Sequence, residues 1–452
     1  MMNSFELSDL PQTIEDGVKI ARHLHIRYIW IDCLCICQDD PEDWARESAR
    51  MADIYSNAHI VIAAGRASNA SKGCFHIRAE RASRVVDFPG YSDQVTISLL
   101  DNSSEMDSDR GRWPSEPLSS RGWAFQERLL SPRTIHFTTT QMYYECNHGI
   151  LGEDGCRVPG RYGAVDAYSG EDQAEIGQSS GHWMESWIDL NMWNYLVMEY
   201  TMRSLTKPTD RLPALGGVAK MFEDHFGVEY VAGLWSSTLL RDLTWTPFPW
   251  TGYPASPADC YTGPSWSWSG YAGVTPGPAS TQGAGVHYPA EILRWQTSLK
   301  SEANPYGEVD SAWICLRAPM TALIPEGEEI RTLAREKWPN IPGRQQTSKL
   351  RTAYREDDLN CSPVCLDYGD MRWENFEMKV LLLEGVRENK AVDSEDTSGE
   401  DVDDEDFFGL VVTSTSGSNF KTVKRVGYLN LKREEARAMT SDEGNRCVVT
   451  LV

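Results

Sequence analysis

The side chains best placed for chemistry in this sequence are the carboxylates around residues 32 to 47. Asp32 is the one acid in an otherwise apolar run, Tyr28 to Ile36, whose β-branched and aromatic residues read as a strand covered on both faces. Gln38, Asp39, Asp40 and Pro41 follow as a turn that opens a helix, with Glu42 and Asp43 suited to the positive end of its dipole. Trp44, Ser48, Met51, Tyr55 and Ala58 recur at helical spacing and mark a buried stripe, and Glu47 falls on that stripe. Ligands in open α/β sheets sit beyond the carboxyl ends of the strands, so one reading brings Asp32, Asp39 and Asp40 together with Glu47 at such a crevice. The plainer alternative pairs Glu47 with an arginine such as Arg121 or Arg128, which would only lock the fold.

A second polar set, Arg121, Gln126, Glu127 and Arg128, shares one short segment. Its arginines suit a phosphate or a partner carboxylate. The plainer alternative packs Trp123, Phe125 and Leu129 and pairs Arg128 with Glu47 or an aspartate. Cys33, Cys35 and Cys37 alternate, which is not zinc-knuckle spacing, and read as small buried side chains on a strand. The pair Cys361 and Cys365 lacks a second pair. His136, between Ile135 and Phe137, reads as a satisfied core histidine. A nucleophile elbow, a phosphate-binding P-loop, a dinucleotide GxGxxG turn and an HExxH helix are all absent. Ordinary serine hydrolases, P-loop ATPases and HExxH metalloproteases are thereby disfavoured, and no metal site is expected.

These groups need a scaffold. A first helix is expected from Thr13 to His25, with Thr13 and Asp16 as a capping pair and Ile14, Val18, Ala21 and Leu24 facing inward. The strand at Tyr28, the helix from Pro41 to Ala58 and a strand at His59 to Ala64 then form a parallel βαβ unit, hence an α/β core of flavodoxin-like or Rossmann-like type. Arg121 to Leu130 makes a short helix, with strands at Thr134 to Phe137 and Met142 to Cys146. Residues 1–150 form the first domain and 151–181 a linker. Residues 182–273 form a helical, Trp-rich segment, and 274–452 a β-rich domain with strands at Ala312 to Ala318, Lys379 to Leu383, Phe408 to Thr413 and Lys424 to Leu431.

Composition limits the partners. The chain has 452 residues, enough for two or three domains, and a net charge of −23. That balance disfavours nucleic acid and anionic membranes, which need basic surface. The stretch from Glu388 to Asp406 alone carries ten acids and one lysine and reads as a solvated, disordered loop. The 16 tryptophans, many in the middle third, read as core. Without a signal-like or membrane-spanning stretch the expected location is cytoplasmic, with the 11 cysteines reduced.

Several long blocks carry a resemblance. LPQTIEDGVKIARHLHIRYIWID from Leu10, IDCLCICQDDPEDWARESARMADIYSNA from Ile31, GCFHIR from Gly73 and LSSRGWAFQERLLSPRTIHF from Leu118 together resemble the fungal heterokaryon-incompatibility (HET) domain. SLTKPTDRLPALGGVAKMF resembles the segment that follows it in such proteins. Domains of this family usually begin with a strand segment resembling YxALSYxWG, which this chain lacks before its LPQT block. The resemblance implies a role in non-self recognition and programmed cell death signalling, through a protein partner or self-assembly.

A second likeness is by analogy. A strand ending in polar residues, followed by a helix with Trp and Glu about one turn apart, is similar to the part of TIR domains where a glutamate cleaves the nicotinamide–ribose bond of NAD. The analogy implies a TIR-like core, NAD as substrate rather than cofactor, and Glu47 as the carboxylate that stabilises an oxocarbenium-like centre, oriented by Asp32 or Asp39. The Trp44 to Glu47 spacing is one residue shorter than the TIR pattern.

Overall fold

A computed structural model describes residues 6–76, 83–86, 95–98, 116–158, 190–247, 260–275, 286–325, 347–352, 363–366, 378–387, 405–417, 419–431, 433–441 and 446–452. The chain divides into two compact units, Met1–Trp187 and Ile188–Val452, both mixing helices and strands.

The first unit opens with α1 (Gln12–His23), whose Ile14, Gly17, Ile20 and Ala21 are buried. Thr13 and Asp16 are not the capping pair expected of them. They reach out of the helix to a loop some sixty residues on. Thr13 Oγ1 accepts from the Gly73 amide at 3.1 Å and Asp16 Oδ2 from the Cys74 amide at 2.8 Å, while Asp16 Oδ1 accepts from Gln12 Nε2 at 2.7 Å. This staple sets Cys74 into a core with Ile20 and Phe137, each large side chain contributing about 1.5–3 kcal/mol by leaving water. Gly73 has φ +71°, and a Cβ there would meet Asp16 Oδ2 at 2.5 Å. Gly73→Ala is therefore expected to destabilise the first unit by about 1–3 kcal/mol, read as a lowered unfolding midpoint.

The strand expected over Tyr28 to Ile36 does not form. Residues 26–31 carry no ladder, and Asp32–Cys35 is a single helical turn, α2. Local bonds make that turn: the Leu34 and Cys35 amides donate to the Ile31 carbonyl, and Asp32 Oδ1 accepts from the Cys33 amide at 2.8 Å. An Asp that bonds the neighbouring backbone in this way competes with sheet pairing. Cys33, Cys35 and Cys37 are consequently exposed, not buried as the alternation predicts. Burial raises the pKa of Cys33 and Asp43 that of Cys37, which keeps both thiols protonated and poorly nucleophilic.

Helix α3 (Pro41–Ser56) starts where expected because Asp40 caps it, accepting from the Glu42 and Asp43 amides, with Pro41 at its first position. Then come β1 (Val61–Ala63), the hairpin β2 (Ser83–Val86) and β3 (Val95–Ser98), α4 (Trp123–Leu130), β4 (Arg133–Phe137), β5 (Met142–Cys146), β6 (Gly149–Gly152) and β7 (Arg157–Val158). The sheet order is β1-β4-β5-β6-β7, with β1 and β4 parallel and the other pairs antiparallel. The parallel unit thus exists, but β1, α4 and β4 build it, in place of the missing strand, α3 and β1.

The second unit contains α5 (Leu190–Thr201), α6 (Gly216–Phe226) and the small hairpin β8 (Tyr230–Val231) and β9 (Leu234–Trp235). Trp193, Trp235, Trp266 and Trp268 are fully buried, and the Trp193 and Trp268 indoles both donate to the Gly233 carbonyl, at 3.0 and 2.8 Å. These rings are core. The β-rich part is a nine-stranded sheet whose longest strand, Val309–Pro325, pairs with both Met378–Arg387 and Arg446–Leu451. The route from Met378–Arg387 through Glu405–Ser414 and Thr422–Leu431 to Arg446–Leu451 returns to that long strand, so the ladder closes on itself. Each strand of that ring is paired on both sides, and Val380, Leu382, Phe407, Val411, Leu429 and Leu431 form its buried cluster. Arg425, 1% exposed, donates to the carbonyls of Leu243 and Trp245 and lies over the Trp245 ring. Of the expected linker, 151–181, residues 151–152 end β6 and 157–158 form β7, while 159–181 lie outside the described residues. Of the expected acidic loop, 388–404 lie outside them too, and Glu405 and Asp406 begin a strand.

Candidate functional site

Three short elements of the first unit bring ionisable groups together. From α4 comes Glu127, partly buried because Ala124, Phe125 and Leu129 seat that helix in the core. From α3, which packs against α4, comes the Tyr55 hydroxyl, hydrogen-bonded to the Glu127 carboxyl. Asp32 at the start of α2 and Arg121 just before α4 complete the group.

Electrostatics follow from that placement. Burial first, then the Asp32 charge, push the Glu127 carboxyl up to about 7, against the pull of Arg121 and the Tyr55 hydrogen bond. Burial and the two carboxylates likewise push the Tyr55 hydroxyl well up. Asp32 is exposed while Glu127 is not, so burial and the neighbouring Asp32 carboxylate together leave Glu127 partly protonated at neutral pH. The pair thereby supplies a charge stabiliser beside a group that can give or take a proton.

Asp32 and Tyr55 also line a groove of about 690 Å³ between α1, residues 26–31, the end of α3 and β1. Its walls are mostly apolar, among them Ile14, Ala21, Ile60 and Ile62, and Arg27 is part of its lining. The Trp30 and Tyr55 rings meet edge to face beside it, centroids 5.8 Å apart.

The remaining candidates lie apart from this cluster or in supporting roles. Asp39 is exposed in the turn before α3. Trp44 packs edge to face on Trp123 at 6.1 Å, joining α3 to α4, and Gln126 is buried. Glu47 bonds Arg50 at 2.7 Å and has Arg46 at 3.9 Å, both on its own helix. Glu47→Ala is expected to cost under about 0.5 kcal/mol in an unfolding titration, because such helical surface pairs are weak. Arg128 does not pair with Glu47 as expected; its Nε and Nη2 donate to Glu145 at 2.8 and 2.9 Å. His136 Nε2 stands 2.6 Å from the same carboxylate, the satisfied core histidine that its neighbours predict. Glu127 and Tyr55 carry the site although the sequence reading gave Tyr55 to the buried stripe and left Glu127 among several polar neighbours. One signal was available: Glu127 follows Trp123 by four residues, a full helical turn.

Residues 2–127 match the family model of the heterokaryon incompatibility protein (HET), a stretch that includes Asp32, Tyr55, Arg121 and Glu127. The chain carries a HET domain at its N-terminal end. No curated protein and no solved structure matches the chain. Among the described residues no helix is long and apolar enough to cross a membrane, and no cluster of metal ligands occurs.

Proposed function

We propose that this is a signalling protein of non-self recognition, in which the HET domain drives incompatibility-type cell death in the cytoplasm after engaging a protein partner or assembling with itself. The observation that carries this reading is the HET match, which falls wholly within the first compact unit and leaves a second unit of 188–452 for recognition. Induced expression of the full chain in a filamentous fungus tests it. Growth arrest is expected, and normal growth with stably accumulated protein overturns it.

A second reading is an enzyme with a TIR-like core that hydrolyses NAD. The favouring observation is the pairing of Asp32 with Glu127 beside a groove. Asp32 is one of the three carboxylates expected to act. Glu127, spaced from Trp123 by the longer interval that the TIR analogy asks for, takes the part given to Glu47, and Asp39 has no role. In the step, the ribose–nicotinamide bond breaks and its electron pair leaves with nicotinamide. The developing cation is stabilised by carboxylate, and water adds at the ribose carbon and loses a proton, giving ADP-ribose. Nicotinamide release by the purified chain, lost in Glu127→Gln but kept in Glu47→Ala, is the expected result. Intact NAD at high protein concentration removes this reading.

A further inference from the structure

We infer that the groove beside Asp32 and Tyr55 binds an oxidised nicotinamide nucleotide, with Asp32 at the cationic pyridinium ring and Arg27 at a phosphate. This deepens the NAD-cleaving reading and rests on it for the choice of nucleotide.

The groove sets the class of ligand. Its volume of about 690 Å³ lies within the range of small-molecule sites. Its described lining carries one guanidinium, Arg27, and one carboxylate, Asp32, five residues apart on one stretch of chain, with the His59 imidazole among the other lining groups. A ligand that satisfies both is itself bipolar, with a flat apolar body for the walls between. A delocalised, weakly hydrated cation also suits the aromatic surface of Trp30 and Tyr55. Arg27, whose guanidinium sits 5.3 Å from the centre of the Tyr28 ring, remains able to take a phosphate with its N–H groups. An anionic ring has no matching group at the Asp32 end, and a neutral one gains no charge attraction there.

Glu127 adds a linked effect. A cation drawn to Asp32 favours the ionised Glu127 carboxylate too, so binding expels a proton. Affinity for the oxidised ring should then rise as pH passes upward through about 7. Asp32, Tyr55 and Arg121 are the groups that set this titration. A nucleotide without the cation, such as AMP, should show no such rise.

Calorimetric titration of the full chain with NAD⁺, NADH and AMP tests the inference, with Asp32→Asn and Arg27→Ala alongside and nicotinamide release followed by chromatography. NAD⁺ should bind at least about tenfold more tightly than NADH, a difference of about 1.4 kcal/mol. Asp32→Asn should abolish that preference, and Arg27→Ala should weaken NAD⁺ and AMP together. Equal or tighter binding of NADH, a preference that survives Asp32→Asn, or no binding of any of the three overturns the inference. The comparison of NAD⁺ with NADH needs no variant, so a misfolded substitution does not blunt it. Selective NAD⁺ binding without nicotinamide release keeps the inference and removes the enzyme. Nicotinamide release without selectivity keeps the enzyme and removes the inference.

Discussion

Glu127→Gln is expected to stabilise the first unit at pH 8 and to leave it nearly unchanged at pH 4.5. The Glu127 carboxyl titrates near 7 in the folded chain, against an ordinary value of 4.5. Between those two values the folded state binds more protons than the unfolded state, so stability falls as pH rises, and above about 7 the full penalty is present. That interval corresponds to an upper bound of about 3 kcal/mol, and the partial exposure of the side chain reduces the expected gain to about 1–2 kcal/mol. Glutamine keeps an acceptor for the Tyr55 hydroxyl and removes only the charge that burial and Asp32 disfavour. Because the chain has two units, the readout should be local: hydrogen exchange in α3 and α4, compared with the parent at each pH. Protection that rises at pH 8 and not at pH 4.5 bears out the buried-carboxyl account. Equal exchange at both would mean that Glu127 is solvated and ordinary. A site that is destabilised at neutral pH is the usual mark of one shaped by something other than stability.

Glu145→Ala should have the largest destabilising effect of any single change in the first unit, about 3–5 kcal/mol. Glu145 is fully buried on β5, accepts two bonds from Arg128 on α4 and lies 2.6 Å from His136 on β4. Removing it leaves the guanidinium, 19% exposed, and the imidazole, 6% exposed, without the carboxylate that offsets their desolvation. Urea unfolding followed by near-ultraviolet circular dichroism would report it as loss of the first transition. Replacing Arg128 and Glu145 together by Met should recover part of the loss, because an apolar pair strands no charge. An alanine variant that unfolds with the parent would show that this trio contributes nothing.

Much of the first unit was legible from periodicity and turn chemistry. Helices α1, α3 and α4 and strands β4 and β5 fall within a few residues of the expected places, since each is set by its own apolar spacing and by residues such as Asp40 and Pro41. The failures have one cause, which is competition from distant or side-chain bonds that spacing does not encode. Tyr28 to Ile36 looked like a strand by composition, yet the Asp32 carboxylate accepts from the next amide, that of Cys33, and the run breaks there into a helical turn. Thr13 and Asp16 looked like a local capping pair, yet their partners lie near residue 73. Arg128 found Glu145 across a strand boundary, a match that no helical or strand interval predicts. At the site, Asp32 and Arg121 were readable as unusual polar residues. Tyr55 was not, because an aromatic residue on a buried stripe looks the same whether it fills space or holds a carboxyl.

The contact between α1 and the Gly73 loop also fixes an order of events. A helix of twelve residues is marginal on its own, and the partners of Thr13 and Asp16 emerge from the ribosome only some sixty residues later. Until that loop arrives, Asp16 has no backbone amides to accept from and Cys74 no place beside Ile20. Helix α1 is therefore finished late in synthesis, only once the loop near residue 73 has been made.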